Sequence, residues 1–555
     1  MKKSMFFVVL VLVLSLAFSV SAQNLTSWGT ELPDDAAPAE EQVLTLTCKE
    51  NKYMDPAASF YDSNKSCGTV WLWERLVMLD VDGNIVPGCA ESWEISEDGL
   101  SWTFHLRDGL KWSDGSDLVA GDFEFALKRQ LTPSTGSTWA WFYSAIKNAD
   151  AVNSGQVDPQ ELGIKAIDDK TVVIETESLC TYLPLLMTYP SSAPIPQKIV
   201  EEYGDNWSLN PETCLTNSPW KLEKYDTGVQ IVLGPNTNYV GIHQPKIERF
   251  VMLPTDGTAD FAAYQADEIS AIFADQDDRQ LKGSDYRMAK ADPVMSEELL
   301  AYPYFATRYL FFDPNVAPWD DIRVRQAFTH AIDRDILLNV LFDGLGSPAY
   351  GMLPPGFPAY VDGQNDDYQK FDLELAKSLL AEAGYPNGEG FPEVELWYAN
   401  NDQDRVKTAE ILEQMFKENL GVTVKLQPVE SKIFNETFNA GQVYFGIHNW
   451  EYDFLDPSNF LDVWDPNLGR HKAWNNAEYN ALVEEAGSST DQDHRMELYT
   501  QANEMISKDA AAAFLYHWGH TQLWKSYVKG IPVDSVGNAR VPYYNLGMHE
   551  IYIGK

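Results

Sequence analysis

The chain has 555 residues, 82 of them acidic and 41 basic, for a formal net charge of −41. A surface of that sign repels nucleic acid and anionic lipid, and no block of Lys or Arg offsets it, so neither is expected as a partner. The length predicts roughly two to four domains, each with its own core.

The first 22 residues read as a secretory signal peptide: Lys2 and Lys3, an apolar run, then the small-residue close Val20-Ser21-Ala22. An uncleaved N-terminal anchor is the competing reading. The first cysteine is Cys48, well past the cleavage site, which argues against a lipid on the mature N-terminus. Residues 23–41, rich in Pro, Ala, Asp and Glu, are expected to form a disordered linker. No later apolar run has the length to span a bilayer. The expected location is therefore the periplasm or the extracellular space.

Cys48, Cys67, Cys89, Cys180 and Cys214 include no CxxC pair, so zinc and thioredoxin readings have no support. Export permits disulfides. Cys48 with Cys67 and Cys180 with Cys214 are candidate pairs. The odd number leaves one thiol free unless it pairs between chains.

Residues 90–112, AESWEISEDGLSWTFHLRDGLKW, alternate: Trp102, Phe104 and Leu106 point one way, Thr103, His105 and Arg107 the other. That period of two predicts a strand. Glu97-Asp98-Gly99 is a turn before it, with Asp108-Gly109 and Asp114-Gly115 after it. KTVVIET at 170–176 is another strand, 216–233 are two strands about Asp226-Thr227-Gly228, and 254–273 are a helix and a strand. At 317–355, Asp320 or Asp321 caps a helix carrying Val324, Ala327, Phe328, Ala331 and Ile332 at three- and four-residue spacing. Arg323 and Arg325, near its start, are expected to pair locally rather than with a ligand. Residues 371–426 read as helix, strand, helix, strand, the first helix ending at Gly384. Strand and helix alternate, as in an α/β lobe.

No catalytic constellation emerges. There is no G-x-S-x-G elbow, no phosphate loop, and no H-E-x-x-H around His517 and His520. A secreted acidic chain with 17 Trp also fits a glycoside hydrolase, which needs two carboxylates facing one bond. That is the remote alternative. No cofactor, no metal and no enzyme activity are expected.

The order A-E-S-W-E-x-S-x-D-G-L-x-W-T-F-x-L-R-x-G-x-K-W-S-D-G closely resembles the signature of the extracellular solute-binding proteins of oligopeptide and dipeptide ABC transporters. Asp-Asp-Ile-Arg-Val-Arg-Gln-Ala-Phe at 320–328, followed by Ala-Ile-Asp-Arg, is similar to the same family's wording, and the resemblance runs from about residue 44 to 530. It implies an α/β fold of the two-lobed periplasmic-binding-protein type, with an additional inserted domain and an interlobe ligand cleft. Lobe I would comprise 42–70, 190–293 and 513–555, the inserted domain 71–189, and lobe III 294–512. The implied partners are a peptide ligand and ABC permease subunits, and the implied state is a monomer.

Residues 450–460, WEYDFLDPSNF, resemble the W-x-x-D-x-x-x-P stretch of peptide-binding members. There the Asp takes the peptide α-ammonium and the Trp lines a side-chain pocket, which implies these roles for Asp453 and Trp450. A strand ending before a turn is also where α/β proteins place binding sites. For Asp453 the competing role is a turn residue, and for Trp450 it is core packing. Tyr452, Phe454, His448 and Trp397 complete the expected ligand-contact set. Where some relatives carry basic residues for the peptide C-terminus, this chain has Phe438 and Ile447, with His448 alone nearby. A longer peptide, or one held by its backbone, is then expected. The Trp content keeps an oligosaccharide as the alternative ligand.

Overall fold

The computed structural model describes residues 24–50, 54–57, 68–137, 139–273, 281, 283–467, 471–533 and 546–555. The expected signal peptide and Cys67 lie outside the described residues.

One sheet of eleven strands runs through both lobes. Its path begins in lobe III with Val424–Val429, Val394–Ala399 and Phe445–Glu451. It passes through two long strands, Leu299–Phe312 and Ala512–Trp524, and continues into lobe I with Ala271–Phe273, Val43–Cys48, Arg249–Pro254, Gln230–Pro235 and Trp220–Asp226. The short strand Ser347–Pro348 pairs off this path with Ala512–Trp524.

The two long strands are antiparallel and carry the chain between lobes. Their ladder breaks where the lobes meet: Pro303 faces Gly519 and Thr307 faces His517, so residues 304–306 oppose Trp518 alone. Extra residues on one strand bend it and raise its twist. The backbone of Gly346 comes so close here that a Cβ on Gly519 would sit 2.6 Å from its nitrogen.

Both long strands run unbroken through the crossing, so no turn or strand end marks it. The expected lobe boundaries, 293/294 and 512/513, are accordingly displaced. Leu299 and Met295 pack against the lobe I cluster of Phe261, Tyr264 and Leu523. Ala513, Leu515 and Tyr516 belong to a lobe III core with Val324, Phe328 and Phe416.

The inserted domain is a four-stranded antiparallel sheet in the order Ala90–Ile95, Ser101–Leu106, Thr171–Glu175, Ile164–Asp168. Trp102, Phe104 and Leu106 are buried, as their alternation predicts. They join one continuous core with lobe I residues such as Trp207, Trp220 and Phe250, so the insertion is welded to lobe I. Phe125, on the helix Ala120–Leu131, packs against the same core.

Lobe III follows its sequence signals. Asp321, Asp372 and Asp402 cap the helices Ile322–His330, Leu373–Glu382 and Gln403–Leu420. A carboxylate there accepts backbone N–H groups that the helix leaves unpaired. Gly421, at φ 70°, ends the last of these. Arg323 binds Asp321, as expected, while the buried Arg325 donates to the carbonyls of Trp319, Asp509 and Ala510.

Two further expectations are corrected. Residues 24–41 are ordered on lobe I: Leu32, Ala36 and Ala37 are buried, Ala36 bridges Gly554, and Ser27 N–H donates to Glu248. The apolar residues between the acids suffice to dock the segment against the chain's far end. Cys48 is disulfide-bonded, but Cys180 and Cys214 are both free, buried thiols and do not pair. Both lie in the core that lobe I shares with the inserted domain; Trp102 Nε1 donates to the Cys180 carbonyl, and burial pushes that thiol up to about 12.

Candidate functional site

The strand Phe445–Glu451 leaves the sheet at residue 451 and the chain turns into the short helix Ser458–Leu461. Asn459, 6% exposed, organises the turn. Its Oδ1 accepts from Asp453 N–H at 3.0 Å and from Trp450 Nε1 at 3.3 Å, and its Nδ2 donates to Asp453 Oδ2 at 3.2 Å. Asp456, three residues on, accepts both Nη1 and Nη2 of the buried Arg495 at 3.0 Å. A bidentate charged pair of this kind fixes geometry as well as charge. The turn is thus held by two polar clamps.

Asp453, Trp450 and His448 line a cavity of about 480 Å³, facing Trp141 of the inserted domain. A second cavity of about 250 Å³ lies toward the strand crossing, walled by Tyr304, Arg308, Trp518 and His520. Asn401, Arg405, Asn449 and Glu451 line both, so the two form one groove. His448 rests on an aromatic floor with Phe438 at 4.9 Å and Tyr309 at 5.9 Å.

A charged triad sits where the cavities join. Arg308 Nη2 donates to Asp402 Oδ2 at 2.7 Å, its guanidinium lying 4.6 Å over the Trp518 ring. Arg405 Nε is 4.0 Å from the same carboxylate oxygen, and its Nη2 donates to Asn449 Oδ1 at 2.6 Å. Burial alone would raise the Asp402 carboxyl; the two guanidiniums outweigh it and hold the group down at about 2. Burial, then the neighbouring Arg308, brings Arg405 down to about 10.

The expected contact residues divide. Asp453, Trp450 and His448 come together on one cavity wall. Tyr452 lies at the crossing, edge-on to Phe305 at 5.5 Å and Tyr304 at 6.0 Å. Phe454 does not line either cavity: it stacks on Tyr182 of the inserted domain at 5.5 Å and meets Phe142 edge-on at 5.8 Å. Trp397 is likewise outside the lining, packed against the lobe III core cluster of Phe438 and Phe434. An aromatic beside a binding turn satisfies the same sequence pattern whether it meets ligand or another domain. Ile447 is fully buried. His517 accepts no role in the groove: its Nδ1 lies 2.9 Å from Thr307 Oγ1, and burial holds it down at about 3. Asn459, Arg308 and Arg405 carry the site's geometry and were not singled out by sequence. Among the described residues no cluster fit to hold a metal is found, and no helix is long and apolar enough to cross a membrane.

Two lobes joined by a pair of strands, with a polar groove between lobe III and the inserted domain, define a solute-binding protein. The chain belongs to the bacterial extracellular solute-binding proteins, family 5, whose middle-region model matches residues 84–471. It is similar to the periplasmic oligopeptide-binding protein OppA of Salmonella typhimurium, at 31% identity over 87% of each chain. Among solved structures it resembles the unliganded open form of the periplasmic murein tripeptide binding protein MppA, with a TM-score of 0.79, 27% identity, and coverage of 94% of this chain and 99% of the other. It also resembles Haemophilus influenzae OppA in complex with the peptide RPPGFSPFR, with a TM-score of 0.69, 27% identity, and coverage of 93% and 99%.

Proposed function

We propose that this chain is the exported binding component of an ABC importer, taking an oligopeptide into the groove and passing it to membrane permease subunits. The observation that carries the reading is the placement of Asp453. Its carboxylate stands on the groove wall, fixed at backbone and side chain by Asn459, beside Trp450 and opposite Trp141. A peptide α-ammonium meeting that carboxylate forms a charge-assisted hydrogen bond worth about 1.5–3 kcal/mol. Trp450 and Trp141 supply aromatic walls for side chains. The lobes close on the ligand about the crossing of the two long strands, the kind of hinge that two linking segments allow. The relatives' names, an oligopeptide-binding protein and a murein tripeptide binding protein, support the same ligand class.

In this reading residues 1–22 are removed on export, the mature protein begins near Gln23, carries no lipid, works as a monomer, and performs no chemistry on its ligand. Mass spectrometry of the exported protein reads the first point directly. The decisive experiment is a thermal-shift panel. A mixed tri- to hexapeptide pool is expected to raise the melting temperature, since ligand binds only the folded state. Cello- and xylo-oligosaccharides are expected to leave it unchanged. A shift with the sugars alone moves the protein to a different ligand class, and turnover of any probe removes it from the transport class.

A further inference from the structure

The turn that carries Asp453 also meets the inserted domain. Phe454 stacks on Tyr182 at 5.5 Å and meets Phe142 edge-on at 5.8 Å. Leu455 lies so close to Gly83 that a Cβ there would clash with its Cδ1. Both contacts cross from lobe III to the unit formed by lobe I and the insertion, so relative motion of the lobes makes or breaks them. Tyr182, seated on Phe454, also comes within electrostatic reach of Asp456 and Asp462.

Behind this seam lobe III holds more carboxylates than cations. Asp456 takes Nη1 and Nη2 of Arg495, whose other donors go to the Ala486 carbonyl and Gln492. Asp462 receives none of them, and its Oδ1 is buried without a hydrogen-bond partner. The groups that face it supply no second cation. They are Asp456 in the turn, Asp465 just past the 3-10 turn Asp462–Trp464, and Arg495 and Tyr499 on the helix Gln492–Lys508. Tyr479 on the helix Ala477–Gly487 and Tyr182 across the seam complete the set. Tyr479 spends its hydroxyl on the Leu461 carbonyl at 2.6 Å, and Asp465 Oδ1 accepts Asn467 N–H at 2.8 Å. A carboxyl group cut off from water and short of a cation keeps its proton. Burial, then the neighbouring Asp456, pushes the Asp462 carboxyl well above the ordinary carboxylate range.

We propose that Asp462 is a proton-binding site coupled to lobe closure: seating Tyr182 and Phe454 seals the acid in its protonated form, and parting the lobes admits water and lets the proton leave. This rests on the reading that the lobes close on a peptide. The proton comes from solvent and returns to it. With the lobes parted, the acid ionises in the ordinary Asp range; with them closed, it holds its proton to higher pH. Between those two points each closure takes up as much as one proton. Peptide binding is therefore favoured by acid and weakens as pH rises through that window.

The test is calorimetric titration of the full chain and its Asp462→Asn variant with tetra-alanine and with the mixed tri- to hexapeptide pool. Asn matches the protonated acid in size and cannot ionise. Runs in buffers of different ionisation enthalpy count the protons taken up. At about pH 5.5 wild type is expected to take up to about one proton more per peptide bound than the variant, and between about pH 5 and 6 its affinity should fall up to about tenfold further. The remaining groups of the groove and the peptide are common to both proteins, so the difference isolates Asp462. Tyr182→Ala leaves lobe III untouched and admits water to the acid in every state. It should lose the same proton uptake, and it carries the comparison where the Asn variant does not fold. Equal proton uptake and equal pH slopes in wild type and variants overturn the coupling and leave peptide capture standing. If neither tetra-alanine nor the pool binds, the peptide reading falls and the coupling with it.

Discussion

The carboxamide of Asn459 grips Asp453 at both ends, accepting from its backbone N–H at 3.0 Å and donating to its Oδ2 at 3.2 Å. The same Oδ1 receives Trp450 Nε1 at 3.3 Å. One side chain thereby sets the carboxylate and the indole relative to each other. Preorganisation of this kind lowers the ordering cost of binding.

Asp453→Asn is therefore expected to keep the fold and weaken peptide binding about tenfold or more, because the ligand ammonium loses its charged partner. N-acetylated peptide should bind wild type poorly and lose little further in the variant. The two changes form a double-mutant cycle, read by calorimetry. Additive losses would show that the two groups do not meet.

Asn459→Ala removes the acceptor that Asp453 and Trp450 share. It should lower unfolding stability by about 1–2 kcal/mol in a urea titration and also weaken peptide binding. Asp453→Asn should affect binding with little change in the urea midpoint. If the two variants have the same stability, the clamp contributes nothing to the turn.

Burial lifts the Glu74 carboxyl to about 7, against the opposing pull of Arg107, whose Nη2 lies 3.9 Å away. The folded pKa is above the unfolded one, so folding favours the protonated acid. Its stabilising contribution is complete below about pH 4.5 and is lost as pH rises through about 7. Melting temperature should fall more across that window in wild type than in Glu74→Gln. Equal slopes in the two proteins would exclude Glu74 as the titrating group.

Gly519→Ala should destabilise the strand crossing by about 1–3 kcal/mol, since its Cβ would meet the Gly346 backbone nitrogen, an atom that cannot swing aside. Gly487→Ala, at the end of the helix Ala477–Gly487, meets open space and serves as the control. It should be neutral or stabilising by up to about 1 kcal/mol. Similar melting temperatures for the two variants would deny the close approach at the crossing.

Elements with a local cause were legible in the sequence. Strand Ser101–Leu106 buries alternate residues, and the lobe III helices Ile322–His330, Leu373–Glu382 and Gln403–Leu420 each begin at an Asp that caps them. The boundaries of the lobes were not legible, because Leu299–Phe312 and Ala512–Trp524 run unbroken across the crossing, with no turn signal where the lobes meet. Within the site, Trp450 and Asp453 stand three residues apart in one turn and announce themselves. Arg308 and Arg405 do not: one interrupts an apolar strand, the other looks like the polar face of a helix, and 94 residues separate Arg308 from the Asp402 they share. Phe454 and Trp397 show the converse, since hydrophobic character records burial without saying whose surface covers it.

Lobe I is closed by both ends of the chain. Ala36 bridges Gly554, Gln42 Oε1 accepts from Ile553 N–H, and Lys555 N–H donates to the carbonyl of Asp35. Most of lobe III, by contrast, is built from one continuous stretch between the two long strands. Synthesis from the N-terminus gives lobe III its partners early, while lobe I waits for the last residues to arrive. Contacts spanning nearly the whole chain are the slowest to form, because the intervening loop must close first. Lobe III can therefore be finished first, and lobe I, which needs residues 553–555, last.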